Sequence, residues 1–295
     1  MARIKVGLYH VAVTNDPPKT VRDVLTAVRA LPNDESRART ISENEPVRPR
    51  VLNLSEDHCT GEFTRIQIMN ELSLSNVAGR EATLTFGPDD PTPCDHTAFL
   101  FDYPSNVLFI DEHSGGVTHA AFARYIQSVG ELRSVTATPI MTMDAMIQYA
   151  RQQTFSKITV SLAGMDRADY LRNLGFDQPQ ILALTDFLQA PKLKLEASIT
   201  SRRKDPEGLN RIRETVTALL RLPPKQLKKL IIEGREEGGT VDFPVDLIKN
   251  RMKYEVNLGE GPIADASRHR TVRDAWIAHR DELRNRFRPE PNQQE

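Results

Sequence analysis

The sequence is poor in cysteine, in tryptophan and in long apolar runs. Two cysteines in 295 residues cannot build a disulfide framework, which excludes the small disulfide-rich secreted class and fits a reducing compartment. No apolar run approaches the roughly 18–20 residues that a membrane-spanning helix needs. The amino terminus, MARIKVGLYHVAVTND, has the pattern of a strand rather than that of a secretory signal. These absences predict a cytoplasmic protein that is not itself a membrane protein.

The motifs of several enzyme classes are also missing. The chain has no Gly-x-Ser-x-Gly elbow and no His-Glu-x-x-His pair, and its glycine pairs at 115–116 and 238–239 lack the lysine and the spacing of a phosphate loop. We interpret both glycine pairs as turns. The sequence therefore gives little support to a catalytic function.

What the chain does contain is an ordinary globular composition with mixed periodicity. Hydrophobic residues make up 39% and charged residues 27%, so a sizeable core is expected. The clearest unit is TAFLFDYPSNVLFIDEH, in which two apolar runs flank a Tyr-Pro-Ser-Asn turn, and this predicts a β-hairpin. Strands are predicted at 4–14, 50–55, 63–69, 192–200 and 252–258, a second hairpin around 237–239, and helices at 20–31, 117–130, 205–222 and 271–287. We predict an α+β fold with a mainly antiparallel sheet, flanking helices and two lobes.

Charge is unevenly distributed along the chain. Residues 1–190 hold 17 basic and 23 acidic side chains, whereas residues 191–295 hold 22 basic and 17 acidic ones. This change from net negative to net positive charge predicts an α+β amino-terminal lobe at 1–190 and a basic carboxyl-terminal lobe with a closing helix at 191–295. A basic part attached to an acidic body is typical of proteins that bind polyanions, because lysine and arginine neutralise phosphates.

The basic side chains fall into two groups that we expect to contact nucleic acid. A helix that begins at Asp205 would also present free backbone N–H groups beside the first group. Aromatic residues are not interleaved with these cations, so contact with the backbone of a duplex fits better than stacking on single strands. The predicted contacts are Arg202, Arg203, Lys204, Arg211, Arg213, Lys225, Lys228 and Lys229, followed by Arg268, Arg270 and Arg273.

Two sets of residues have the chemistry of metal ligands without the usual spacing. Asp111, Glu112 and His113 follow an apolar strand, where carboxylates and an imidazole could serve a metal-dependent nuclease. His58 and Cys59, with Cys94 and His96, supply the ligand types that zinc prefers, but adjacent residues on a strand point in opposite directions. We therefore predict no metal, no other cofactor and no catalytic residues.

The order of elements resembles a known family. The hairpin FLFDYPSNVLFIDE, the strand that leads into SRRK, the basic helix, the segment KKLIIEGREEGGTVDFPVDLI and the closing arginine-rich helix resemble the RexA-type phage-exclusion proteins over about residues 97–287. They also resemble related bacterial families, with the KwaB effector of the Kiwa defence system as one candidate.

The resemblance implies a non-catalytic, homodimeric protein that binds double-stranded DNA in bacterial or prophage defence. It also implies a membrane-protein partner encoded nearby, and it assigns phosphate contacts to Ser201–Lys204 and the helix that follows. Two alternatives stay open at this point. One is a metal-dependent nuclease of a defence system, and the other is an interaction module whose basic face binds an acidic protein.

Overall fold

The computed structural model describes residues 2–41, 46–69, 71–75, 80–87, 90–152, 154–163, 192–198, 213–217, 219–220, 227–236, 239, 241–261 and 263–287. The strands are β1 (Ala2–Thr14), β2 (Arg39–Thr40), β3 (Pro46–Leu54), β4 (His58–Ile66), β5 (Glu71–Ser75), β6 (Glu81–Thr85), β7 (Cys94–Asp102), β8 (Val107–Asp111), β9 (Ser134–Pro139), β10 (Thr154–Ala163), β11 (Lys192–Ser198), β12 (Leu227–Arg235), β13 (Phe243–Asp246) and β14 (Lys253–Gly259). The helices are α1 (Val21–Ala30), α2 (Asp34–Arg37), α3 (His119–Gly130), α4 (Met143–Arg151) and α5 (Asp265–Arg286), and residues 213–217 are also helical.

The chain divides into two compact units that do not follow the charge step near residue 190. Unit 1 is Met1–Ala137 with Lys253–Glu295, and unit 2 is Thr138–Met252. The boundary differs from the predicted one because β11, which begins at Lys192, pairs with β10 in the same sheet. The chain leaves unit 1 near the end of β9 and returns to it at β14, so the closing helix belongs with the amino-terminal strands.

The framework of unit 1 is an eight-stranded sheet. Its order is β14-β1-β8-β7-β4-β3-β2, with β9 paired to β1 off this path. Every pairing along the path is antiparallel. The predicted α+β class with a mainly antiparallel sheet is confirmed.

The predicted hairpin forms the middle of this sheet as β7 and β8. Phe99 pairs with Ile110 and Asp102 pairs with Val107. The turn between them places Asn106 in the left-handed region at φ 52°, a conformation that asparagine tolerates better than most residues. Both strands are fully apolar at their centre because helices cover both faces of the sheet.

Helices α1 and α3 cover one face. Their starts follow ordinary capping chemistry, since Thr20 and Asp23 form a capping box and the Thr118 hydroxyl accepts a hydrogen bond from the backbone N–H of Ala121. The apolar sides of both helices pack on the sheet. The core on this face includes Val24, Leu25, Val28, Phe63, Phe99, Phe101, Phe122, Tyr125 and Ile126.

Helix α5 covers the opposite face, where it packs on β7, β8 and β1. Its own residues Val272, Ala275 and Leu283 are buried against the sheet. This helix begins earlier than predicted, at Asp265, and it carries many charged residues on its outer side. Its attachment therefore depends on more than apolar area.

Asp102, at the end of β7, holds α5 to the sheet. Its carboxylate is 1% exposed and accepts hydrogen bonds from the indole N–H of Trp276 at 2.9 Å, the guanidinium of Arg284 at 2.5–3.2 Å and the hydroxyl of Ser105 at 2.6 Å. Arg284 also donates to Asp57 at 2.8 Å. A buried carboxylate with this many donors is fully compensated for its loss of water.

The same guanidinium sets the acid response of Asp57. Hydrogen bonding to Arg284, and then to His58, lowers the pKa of Asp57 from its ordinary value of 3.8 to about 2. A carboxyl whose pKa is lower in the folded chain stabilises the fold above its unfolded pKa. That contribution is lost as the pH falls from about 4 towards 2.

Unit 2 contains a four-stranded antiparallel sheet in the order β11-β10-β12-β13. The pairing of β12 with β13 confirms the second predicted hairpin. One face of this sheet is apolar and packs against α4 and the helical residues that begin at 213. Its core includes Ala145, Phe155, Val160, Val216, Leu219, Leu230, Ile232 and Val245.

A separate two-stranded sheet is formed by β5 and β6, with Leu72 opposite Leu84. Within the described part of the chain, no helix is long and apolar enough to cross a membrane.

We predict that Asp102→Asn destabilises unit 1 by about 3 kcal/mol, because removing one partner of a buried ion pair leaves the other uncompensated. Urea unfolding followed by circular dichroism measures the change. The control is Asp274→Asn, the same substitution on the exposed side of α5, which should change stability by less than about 0.5 kcal/mol. Equal effects of the two variants would contradict the role given to Asp102.

Candidate functional site

The polar face of the unit 2 sheet brings lysines from separate strands into register. On β10, Ser161 lies opposite Lys194 of β11 on one side and Lys229 of β12 on the other. Strands are about 4.8 Å apart, so the two lysine Cα atoms are about 10 Å apart with a small side chain between them. This places two cations side by side on the face opposite the apolar core.

Lys228 and Lys229 are the most available cations of this face. Both are exposed, and no carboxylate among the described residues lies within ion-pair distance of either ammonium. A β-bulge between Ser161 and Leu162 shifts the register beside them and leaves Lys228 outside the regular pairing. We refer to Lys194, Lys228 and Lys229 together as the lysine face.

Acidic side chains partly balance the lysine face. Glu196 pairs with Lys194 at 3.2 Å and with Lys157 at 2.7 Å, and Glu233 lies 3.8 Å from Lys157. These carboxylates lower the local positive potential. A polyanion that binds here must compete with them for the lysines, and each phosphate contact that does form makes its affinity fall with salt.

Several predicted contacts lie outside the described residues. They are Arg202, Arg203, Lys204, Arg211 and Lys225. Arg202 follows Ser198, the last residue of β11, by four positions in the sequence. Arg213 is described; it is exposed and begins the helical residues 213–217.

The second predicted cluster, on α5, divides into one structural cation and two exposed ones. Arg268 forms an ion pair with Asp111, which is 2% exposed, so its charge is already neutralised within unit 1. Arg270 and Arg273 lie one turn apart on the exposed side of the helix. Only these two are placed to meet a partner from solvent.

The acidic run after β8 does not form one site. Asp111 and His113 share the face under α5, with the His113 Nδ1 atom 3.0 Å from Asp111 Oδ2. Glu112 points to the other face, where it accepts a hydrogen bond from the Tyr9 hydroxyl. Because the two carboxylates diverge and Arg268 occupies one of them, the arrangement does not suit a divalent cation.

The thiol and imidazole pairs are also separated. Cys59 lies opposite Phe101, whereas Cys94 lies opposite Ile66, at the other end of the β4–β7 pairing. Seven residues of strand separate them by roughly 24 Å. Across the described residues, no group of three or more histidine, cysteine, aspartate or glutamate side chains is arranged to hold a metal ion.

Sequence reasoning missed a buried carboxylate, Glu62 of β4. It is 4% exposed and lies between Arg50, whose guanidinium is 2.9 Å from Oε1, and His269 of α5, whose Nε2 is 3.1 Å from Oε2. His96 Nδ1 approaches Oε1 at 3.4 Å. The available signal was the alternation Thr60-Gly61-Glu62-Phe63-Thr64, which places three polar side chains on one face of a central strand.

Comparison with known proteins adds no family. No protein-family model matches the chain, and no curated protein has a significant match to its sequence. The similarity to RexA-type proteins stays a resemblance of pattern.

We predict that Arg268→Gln and Arg270→Gln, although only two residues apart, differ sharply in effect. Loss of Arg268 leaves the Asp111 carboxylate buried without its cation and should cost about 3 kcal/mol of unfolding free energy. Loss of the exposed Arg270 should cost less than about 0.5 kcal/mol. Thermal and urea unfolding of both variants measures this difference. An Arg268→Gln protein as stable as the wild type would contradict the structural role of the Arg268–Asp111 ion pair.

Proposed function

We propose that the protein binds double-stranded DNA through unit 2, without strong preference for sequence and without cutting it. The observation that carries the proposal is the difference in net charge between the two units. This difference remains when the chain is divided at its structural boundaries. Unit 2 has 18 basic and 14 acidic residues, whereas unit 1 has 21 basic and 26 acidic ones. Unit 2 therefore has a net charge of +4 and unit 1 of −5.

The local arrangement supports the same proposal. The lysine face provides ammonium groups on the side of the sheet that is free of the apolar core. Lysine and arginine contacts to phosphate fix a duplex without reading its bases, which accounts for tolerance of sequence. The run Arg202–Lys204 and the cations Arg211, Arg213 and Lys225 belong to the same unit and are proposed as further contacts. Arg270 and Arg273 of α5 are proposed as a secondary set.

The biological setting is proposed on the resemblance to RexA-type proteins. It comprises cytoplasmic action in bacterial or prophage defence, homodimerisation and a membrane-protein partner encoded nearby.

The competing function is an interaction module in which the lysine face binds an acidic protein. The interleaved Glu196 and Glu233 favour this alternative, because an alternating charge pattern recognises a specific partner better than a uniform polyanion does.

We predict that Lys194→Glu/Lys228→Glu/Lys229→Glu lowers the affinity for a random-sequence duplex at least tenfold. Each lost phosphate contact should also reduce the slope of log K against log salt by about 0.9. Fluorescence anisotropy with a labelled duplex at several salt concentrations, with and without Mg²⁺, measures both quantities.

The control is a triple reversal in unit 1, Arg29→Glu/Arg124→Glu/Arg133→Glu, at exposed positions. It changes the net charge by the same amount and should alter binding much less. Equal loss in the two variants would show that net charge alone governs binding, and a wild-type protein that binds no nucleic acid at low salt would favour the acidic protein partner. Mg²⁺-dependent cutting of the duplex would overturn the non-catalytic part of the proposal.

A further inference from the structure

Cys94, His96 and Glu62 lie on one face of the β4–β7 pair in unit 1. Cys94 and His96 are two residues apart on β7, so both side chains point to the same side. His96 lies opposite Thr64, and Glu62 is the next residue of β4 on that side. The three side chains lead from the surface to the interior, because Cys94 is exposed and Glu62 is buried.

The distances follow the order thiol, imidazole, carboxylate. Cys94 Sγ is 3.8 Å from His96 Nε2, and His96 Nδ1 is 3.4 Å from Glu62 Oε1 and 3.2 Å from the Thr64 hydroxyl. The two ring nitrogens thus face different partners. With the Nδ1 proton held by Glu62 and Thr64, Nε2 carries the lone pair, and both the thiol and an N–H of Arg50 lie close to it.

This is the geometry of an activated nucleophile, in which a base takes the proton of the attacking group and a third side chain orients the base. A cation that also pairs with Glu62 lies close to the imidazole. The Arg50 guanidinium lies 3.4 Å from His96 Nε2. Cationic neighbours and partial exposure are the surroundings in which cysteine thiolates react.

The other cysteine of the chain has the opposite surroundings. Cys59 is fully buried, and burial raises the pKa of its thiol to about 12. It lies roughly 24 Å along the strand pair from Cys94, too far for a disulfide between them. A disulfide within one chain is therefore excluded, and a product at Cys94 forms with a partner from outside the chain.

We propose that Cys94 is a reactive thiol, activated by His96 and Glu62, that is modified by peroxides. The thiol proton passes to His96 Nε2, and the thiolate attacks a peroxide oxygen. An S–O bond forms as the O–O bond breaks, and the departing hydroxide takes the imidazolium proton to leave water and a sulfenic acid. The sulfur is oxidised and the peroxide is reduced. A small thiol such as glutathione can then cap the sulfenic acid as a mixed disulfide.

The reactivity of the thiol is tested with iodoacetamide near neutral pH, with peptide mapping to follow the two cysteines separately. In the folded wild-type protein Cys94 should react about tenfold faster than in the guanidinium-unfolded chain, while Cys59 stays unmodified. His96→Gln should slow Cys94 to the rate of the unfolded chain. Glu62→Gln should give an intermediate rate, and Cys94→Ser should abolish the fast reaction.

The matched control is His279→Gln on α5. The His279 and His96 side chains are similarly exposed, at 26% and 28%, and the control should leave the rate of Cys94 unchanged. A folded-state rate no faster than that of the unfolded chain would overturn the activation, as would an unchanged rate in His96→Gln.

The peroxide step has its own measurement. The folded protein is treated with a low concentration of hydrogen peroxide and then with a dimedone-type trap for sulfenic acid. Label at Cys94 that is lost in His96→Gln is the expected result. Fast alkylation without any trapped sulfenic acid would overturn peroxide as the modifying class. Neither measurement involves nucleic acid, so the outcome does not depend on the function proposed for unit 2.

Discussion

The architecture of unit 1 depends on the buried carboxylate of Asp102. The residue ends a central strand, and its donors come from the adjoining turn and from a helix more than 170 residues later in the chain. Hydrogen bonds to a charged group contribute about 1.5–3 kcal/mol each, provided that the group stays fully paired. The carboxylate therefore specifies where α5 docks as well as how strongly it is held. Without it, Trp276 and Arg284 of the returning helix would lose their shared buried partner on the sheet.

The rest of the α5 interface repeats this chemistry. Asp111 receives Arg268 and Glu62 receives His269, so that three carboxylates of the sheet each meet a basic side chain of the helix. Such pairs contribute less to stability than apolar contacts of the same size, because both partners lose their water. These ion pairs do favour one position of α5 along the sheet over shifted positions. A shift of α5 by one residue would bury several charges without partners, which explains how a highly charged helix adopts one position.

Local sequence patterns predicted part of the fold, whereas contacts between distant segments were not predicted. The hairpin at Tyr103–Asn106, the helices at α1 and α3 and the antiparallel class follow from local periodicity and turn chemistry, and those predictions are confirmed. The boundary near residue 190 was predicted from charge, which does not report strand pairing. Arg268 was grouped with Arg270 and Arg273 because adjacent cations look alike in sequence. Only the tertiary fold shows that one of them is neutralised by Asp111.

The two units differ in how many of their charged side chains are paired. In unit 1, acidic residues outnumber basic ones, and several of its arginines, such as Arg268 and Arg284, are held by buried carboxylates. A polyanion approaching unit 1 therefore meets net repulsion, which acts over a Debye length of about 8–10 Å at physiological salt. In unit 2 the balance has the other sign, and Lys228 and Lys229 have no carboxylate partner among the described residues. Under the proposed function, the opposed net charges would favour contact of a duplex with unit 2, and the acidity of unit 1 would leave Arg270 and Arg273 as secondary contacts.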